Sequence, residues 1–319
     1  MSVTFPEAFN LADYFLFDRL AEGLGGKVAL RFGERSWTYQ QIADRSRAFA
    51  SLLGSAGVGR GDRVLIVLPD VPPFAWVFFG TLAAGNVVAM GNPDVPASSI
   101  EYLVEYTRAT AVVTVPKVYA SLREATKAGR VGKEVRAMWV CADAPTGDDP
   151  DRVDASIPAE HHLAKALATA KPADLRQTHR DEPAIWLFTS GSTGEPKANV
   201  HAHRDFAFNT EVYAKHTVGY RRDDVTVSVP RLYFGYATGT NLMFPFAVGA
   251  TVGLFSERPT PESLSRAIAT YRPTVVTNVP TMLGKLLEHD AAARARGEAG
   301  LDFSSIRFSL SAGEALPQA

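Results

Sequence analysis

From Thr38 onward the chain alternates helix-like and strand-like segments, and that alternation limits the fold more than any other feature. In TYQQIADRSRAFASLLGSAG, Thr38 suits an N-cap with Gln41 three residues on. Ile42, Phe49, Leu52 and Leu53 share one face, and Gly57 suits the stop. GRGDRVLIVLPD then turns into a continuous apolar strand. The series runs on as helix 73–84, strand 86–90, helix 99–108, strand 111–115, helix 117–127 and strand 136–141. A second series reads strand 184–189, helix 203–215, strand 224–229, helix 239–247, strand 250–255, helix 261–270, strand 274–278, helix 281–294 and strand 306–311. Pro261 just inside a helix start fits these limits. The expected class is therefore α/β: two doubly wound, mostly parallel β/α subdomains packed together, one over 1–180 and one over 181–319. Between the series, DAPTGDDPDRVDAS is acidic, rich in Pro, Gly and Ser and without apolar period, and reads as a mobile surface loop over 142–157.

With 46% hydrophobic and 21% charged residues in 319, the chain can bury two cores. A formal net charge of -1 gives no electrostatic reason to expect nucleic acid or an anionic membrane as partner. The uncharged stretches 71–93 and 232–256 each contain Pro and several Gly, and read as buried helix and strand rather than membrane spans. Cys141 is the only cysteine, so no internal disulfide is possible and a reducing, cytoplasmic compartment is expected. On a strand, Cys141 reads as a buried small hydrophobe. His201 and His203 form an H-x-H pair with no third ligand at metal spacing, so no metal site is expected there.

The stretch TSGSTGEPK, residues 189–197, leaves the apolar run AIWLF through a loop with almost no side-chain bulk. Such a loop exposes backbone N–H groups that can fold into an anion-binding nest. Ser190, Ser192 and Thr193 add hydroxyl donors, Lys197 adds a mobile charge, and Pro196 limits the backbone before it. There is no Gly-Lys pair for a Walker A loop, and Gly191 and Gly194 lie too close for a dinucleotide fingerprint. A polyphosphate is the expected ligand. The chain stops at SAGEALPQA, right after a strand and where open α/β sheets bind ligands, so a fragment of a longer protein is expected.

TSGSTGEPK resembles the signature loop of the adenylate-forming superfamily, [ST]-S-G-[ST]-T-G-x-P-K-G, with Ala198 where glycine is customary. GVGRGDRVLIVLPD, GTLAAGNVVAMGNP, PRLYFGYATG, VVTNVPTML and SAGEAL resemble further blocks of that family in the expected order. The stretch from LYFGYATG to TPE is most similar to the benzoate/aminobenzoate-CoA ligase branch. The resemblance implies ATP-dependent activation of an aromatic carboxylic acid to an aryl-adenylate and then to a thioester of coenzyme A, with Mg²⁺ accompanying the ATP. It implies that Lys197 and Thr193 act catalytically and that Thr189, Ser190, Gly191, Ser192, Thr193, Gly194 and Lys197 hold the phosphates. Ser311, Ala312, Gly313 and Glu314 would border the adenine, while Gly235, Tyr236, Ala237, Val279, Pro280 and Gly313 would hold the aryl acid. The Mg²⁺ glutamate, the ribose aspartate, the later barrel and the C-terminal domain have no counterpart in these residues. An enzyme that loads a carrier protein, and a non-catalytic nucleotide- or ligand-binding module, stay open as alternatives, as does a homodimer.

Overall fold

The structure, a computed structural model, describes residues 3–152, 154–189 and 195–315. Two largely parallel six-stranded sheets carry these residues. One has the order β6-β5-β3-β4-β7-β8, with β3 Arg63–Val67, β4 Val87–Met90, β5 Ala111–Thr114, β6 Ala137–Val140, β7 Pro183–Thr189 and β8 Lys197–Ala202. The other has the order β12-β11-β9-β10-β1-β2, with β1 Val28–Phe32, β2 Arg35–Thr38, β9 Val225–Ser228, β10 Thr251–Leu254, β11 Val275–Asn278 and β12 Phe308–Ser311. In each sheet only the pair at one edge is antiparallel, β7 with β8 and β1 with β2. The α/β class expected from the alternation is the class observed.

β4 and β5 are buried at every position because helices cover both faces of the sheet, which is why they read as unbroken apolar runs. The helix Pro73–Ala83 is likewise buried throughout. It crosses the helix Tyr39–Ser55 at backbone contact, since a Cβ added to Gly80 would lie 2.6 Å from the Ser46 carbonyl oxygen. Thr38 caps the second of these helices as expected. Its hydroxyl accepts from the Gln41 N–H at 3.2 Å, and the Gln41 side chain accepts from the Thr38 N–H at 2.9 Å.

The two sheets do not follow a division at 180/181. β1 and β2 join the sheet built otherwise from the second half, and β7 and β8 close the sheet built from the first. The acidic loop is also not free. Arg45 donates from two guanidinium nitrogens to the Asp151 carboxylate at 2.8 and 2.6 Å, a paired geometry that resists swinging. Thr146 donates to Glu257 at 2.5 Å, and Ser256 donates to the Ala144 carbonyl at 2.8 Å. Gly33, at φ +59°, lets the loop backbone approach: a Cβ there would fall 2.6 Å from Gly147 Cα. The expected mobile loop is thus docked between the halves by side chains that its composition alone does not reveal.

Candidate active site

The small-residue loop joins β7 to β8, two antiparallel strands in register from Ile185↔His201 to Thr189↔Lys197. The helix expected over 203–215 begins at His203 as read, but an edge strand, β8, precedes it where none was expected. Ser190, Gly191, Ser192, Thr193 and Gly194 lie outside the described residues. At the base of the loop Thr189 and Lys197 face each other, both exposed, with the Thr189 hydroxyl donating to the Lys197 carbonyl at 3.4 Å. Two tyrosines one turn apart on the helix Ala97–Thr107 brace this base. The Tyr102 hydroxyl donates to the Pro196 carbonyl at 3.0 Å, and the Tyr106 hydroxyl accepts from the Ala198 N–H at 3.3 Å. Their i, i+4 spacing is the signal in the sequence that could have found them.

The second part of the site is the segment after β9. Asp70, which follows β3 in the other sheet, accepts from the Leu232 N–H at 2.9 Å and pairs with Arg231 at 3.7 Å. Arg231 donates in turn to the Phe255 carbonyl at 2.6 Å. Both charges are almost fully buried, and burial pushes the Asp70 carboxyl up to about 6 although Arg231 and the Leu232 N–H pull it down. This pair fixes the turn from which Gly235 and Tyr236 emerge. A Cβ on Gly235 would lie 2.5 Å from Leu187 Cδ1, so the turn packs directly on the strand that enters the small-residue loop.

From Gly235 the chain continues as a short helix, Gly235–Thr238, widened into a π-helix over Gly239–Met243. With the helix His203–Asn209 and the π-helix Thr210–Val218 it encloses an open cavity of about 310 Å³. Phe206, Asn209, Tyr213, Gly235, Tyr236, Gly239, Thr240 and Phe244 line it. Burial, with Tyr213 nearby, raises the Tyr236 hydroxyl to about 12, so it stays a neutral hydrogen-bonding group. Of the six positions expected to hold the acid, only Gly235 and Tyr236 line this cavity. Ala237 is fully buried. Val279 and Pro280 sit where β11 passes into the helix Pro280–Ala295, and a Cβ added to Gly313 would lie 4.0 Å from Val279 Cγ1. Ser311, Ala312, Gly313 and Glu314 are exposed at the end of β12. The Glu314 carboxylate accepts from the Thr281 N–H at 3.1 Å and from its hydroxyl, which caps the helix Pro280–Ala295.

A family model described as AMP-binding enzyme matches residues 17–319. The chain belongs to that family. It is 32% identical over 319 residues to a benzoate–CoA ligase of Thauera aromatica, covering 99% of this chain and 56% of the relative. It is 32% identical over 310 residues to a 4-hydroxybenzoate–CoA/benzoate–CoA ligase of Rhodopseudomonas palustris, covering 97% and 54%. A crystal structure of a benzoate CoA ligase from Burkholderia xenovorans LB400 superposes with a TM-score of 0.80 at 30% identity, covering 97% of this chain and 57% of that one. The chain thus spans about half the length of these relatives of the family.

No group of three or more His, Cys, Asp or Glu side chains gathers where it would hold a metal ion, and no helix is long and apolar enough to cross a membrane, among the described residues. Cys141 is buried, and burial pushes its thiol well up. His203 is a packing residue: its Nδ1 accepts from the Leu11 N–H at 3.1 Å, and burial pushes its pKa down to about 4. The folded state therefore binds fewer protons than the unfolded chain between about 6.5 and 4. Its contribution is complete above that window and is lost as pH falls through it. Chemical denaturation should show the wild type losing about 3 kcal/mol relative to His203→Asn between pH 7 and pH 4, since Asn keeps an acceptor without titrating. Parallel pH profiles for the two proteins would contradict this assignment.

Proposed function

We propose that this chain forms the ATP- and acid-binding core of an enzyme that activates an aromatic carboxylic acid. A carboxylate is a poor electrophile. Its oxygen attacks the α-phosphorus of ATP, the bond to the bridging oxygen breaks, and pyrophosphate leaves. The resulting mixed anhydride then reacts with the thiol of coenzyme A: the C–S bond forms, AMP departs, and the thiol proton passes to solvent or a base. Thr189, Ser190, Gly191, Ser192, Thr193 and Gly194 are assigned to the phosphates, and Lys197 to the charge that builds on the departing pyrophosphate. Tyr236 and Gly235 are assigned to the ring, Val279, Pro280 and Gly313 to the facing side, and Ser311, Ala312 and Glu314 to the adenine border. Mg²⁺ would neutralise phosphate charge, and no residue is assigned to it.

The observation that carries the reading is the contact of Gly235 with Leu187, which sets an aromatic-walled cavity directly on the strand entering the loop at Thr189. Holding an acid and ATP side by side is the main task in such a reaction. The similarity to benzoate– and hydroxybenzoate–CoA ligases supports the same substrate class. AMP release should be measured for the intact gene product with ATP, coenzyme A and benzoate, 3- and 4-hydroxybenzoate and 2-aminobenzoate in turn. Acid-dependent AMP release with at least one is expected, and none with any would overturn the proposal.

A further inference from the structure

Six of the eight residues that line the cavity have been given no role. Phe206, Asn209 and Tyr213 follow one another at i, i+3 and i+7 and so present one face of the helical segment after β8 to the space above Tyr236. Phe206 and Phe244 make the wall apolar, and the Tyr213 ring leans on Phe244 at 6.2 Å between centroids. Gly239 keeps it narrow, since a Cβ there would lie 3.1 Å from the Phe244 ring. The Thr240 hydroxyl is already committed to the Tyr236 carbonyl at 2.9 Å, and the Tyr220 hydroxyl to the Thr240 carbonyl at 3.0 Å. What the wall can offer a ligand is therefore the Asn209 amide and the Tyr213 and Tyr236 hydroxyls.

Resting on the aryl-acid reading above, we infer that Asn209 and Tyr213 select the ring substituent, so that the acid this site takes carries a hydroxyl or amino group rather than a bare ring. An unsubstituted ring seated here covers three hydrogen-bonding groups and returns nothing to them. A buried polar group left without its partner is costly. A site built with such groups discriminates sharply against an analogue lacking the matching substituent, whereas an all-apolar slot barely rejects an added hydroxyl. Asn209 can donate and accept, and each tyrosine hydroxyl can do the same, so hydroxyl and amino substituents both fit their chemistry. The two π-helical segments that supply Tyr213, Gly239 and Thr240 are of the kind often found at functional sites.

The test is calorimetric titration of the 319-residue chain with benzoate, 3-hydroxybenzoate, 4-hydroxybenzoate and 2-aminobenzoate, repeated on Asn209→Leu and Tyr213→Phe. Both residues are solvent-exposed, so thermal unfolding of the variants should match the wild type. At least one substituted acid is expected to bind the wild type about tenfold more tightly than benzoate, the equivalent of one good hydrogen bond. One or both variants should erase that preference, through weaker binding of the substituted acid, tighter binding of benzoate, or both. A wild type that prefers benzoate, variants that keep the preference, or variants that lose all four acids equally would each overturn the inference while leaving the aryl-acid reading intact. A wild type that binds none of the four takes down the aryl-acid reading and this inference with it.

Discussion

Replacing Lys197 by alanine should slow formation of the aryl-adenylate about a hundredfold or more, while aryl-acid affinity changes little. The residue opens β8 directly across from Thr189, and its side chain is exposed at the base of the small-residue loop. An ammonium on a flexible stem in that position can follow the phosphates as charge moves onto the leaving pyrophosphate. An interaction that strengthens in the transition state acts on the rate and not on ground-state binding. Losing one such charge-stabilising group typically costs a factor of about 10²–10³. Single-turnover adenylate formation checks this, with acid affinity titrated in parallel. An unchanged rate would place the lysine away from the chemistry, and an equal loss in both would make it a binding residue.

The buried pair behind the aryl turn should be the most sensitive point for stability. Asp70→Ala leaves the Arg231 charge buried without its counter-ion and the Leu232 N–H without its acceptor. Breaking such a pair from one side costs about 3–5 kcal/mol. Asp70→Asn combined with Arg231→Met keeps an acceptor for the Leu232 N–H and removes both charges, so it should lie closer to the wild type than either Asp70→Ala or Arg231→Met alone. The pair also has a signature in pH. The carboxyl at about 6 sits above its unfolded value, so the folded state takes up a proton that the unfolded chain does not hold. Stability from this group is complete below about pH 4 and declines as pH rises through about 6. Measured against Asp70→Asn, the wild type should lose about 3 kcal/mol across that interval. A flat difference between the two would mean that Asp70 is ionised throughout.

The elements that sequence reading found are those whose period is local. The capping box at Thr38 and Gln41 and the unbroken apolar runs of β3, β4 and β5 mark themselves within a few residues. What escaped lacks such a mark. β8, KANVHA, is an edge strand exposed or half-exposed along its length, so it shows neither an apolar run nor clean alternation. β1 and β2 are short, with Arg31 inside the first and Arg35 opening the second, and the parallel partner of β1 is β10, more than two hundred residues away. For the same reason the exchange of strands between the sheets could not be read as a boundary. The loop over 142–157 looks unanchored in composition because its anchors, Arg45, Ser256 and Glu257, lie elsewhere in the chain.

At the site, Gly235 and Tyr236 were pointed to by the resemblance of PRLYFGYATG to a block of the family, and both line the cavity. Asn209 and Tyr213 lie within the segment read only as a helix over 203–215, although their spacing from Phe206 marks one face. Asp70 and Arg231 stand next to long uncharged stretches, where an isolated charge is a signal of burial with a partner. Which charge pairs with which becomes visible only once β3 and β9 are placed in different sheets.

The central claim is that the turn at Tyr236 and the strand pair at Thr189 and Lys197 form a single crevice for an aryl-adenylate. Its most direct test is a crystal structure of the chain with a non-hydrolysable aryl-adenylate mimic, a sulfamate standing in for the phosphate. The ring should lie in the cavity against Tyr236, with the sulfamate within reach of Lys197. A mimic bound elsewhere, or a cavity filled by repacked Phe206 and Phe244 at saturating ligand, would contradict the account.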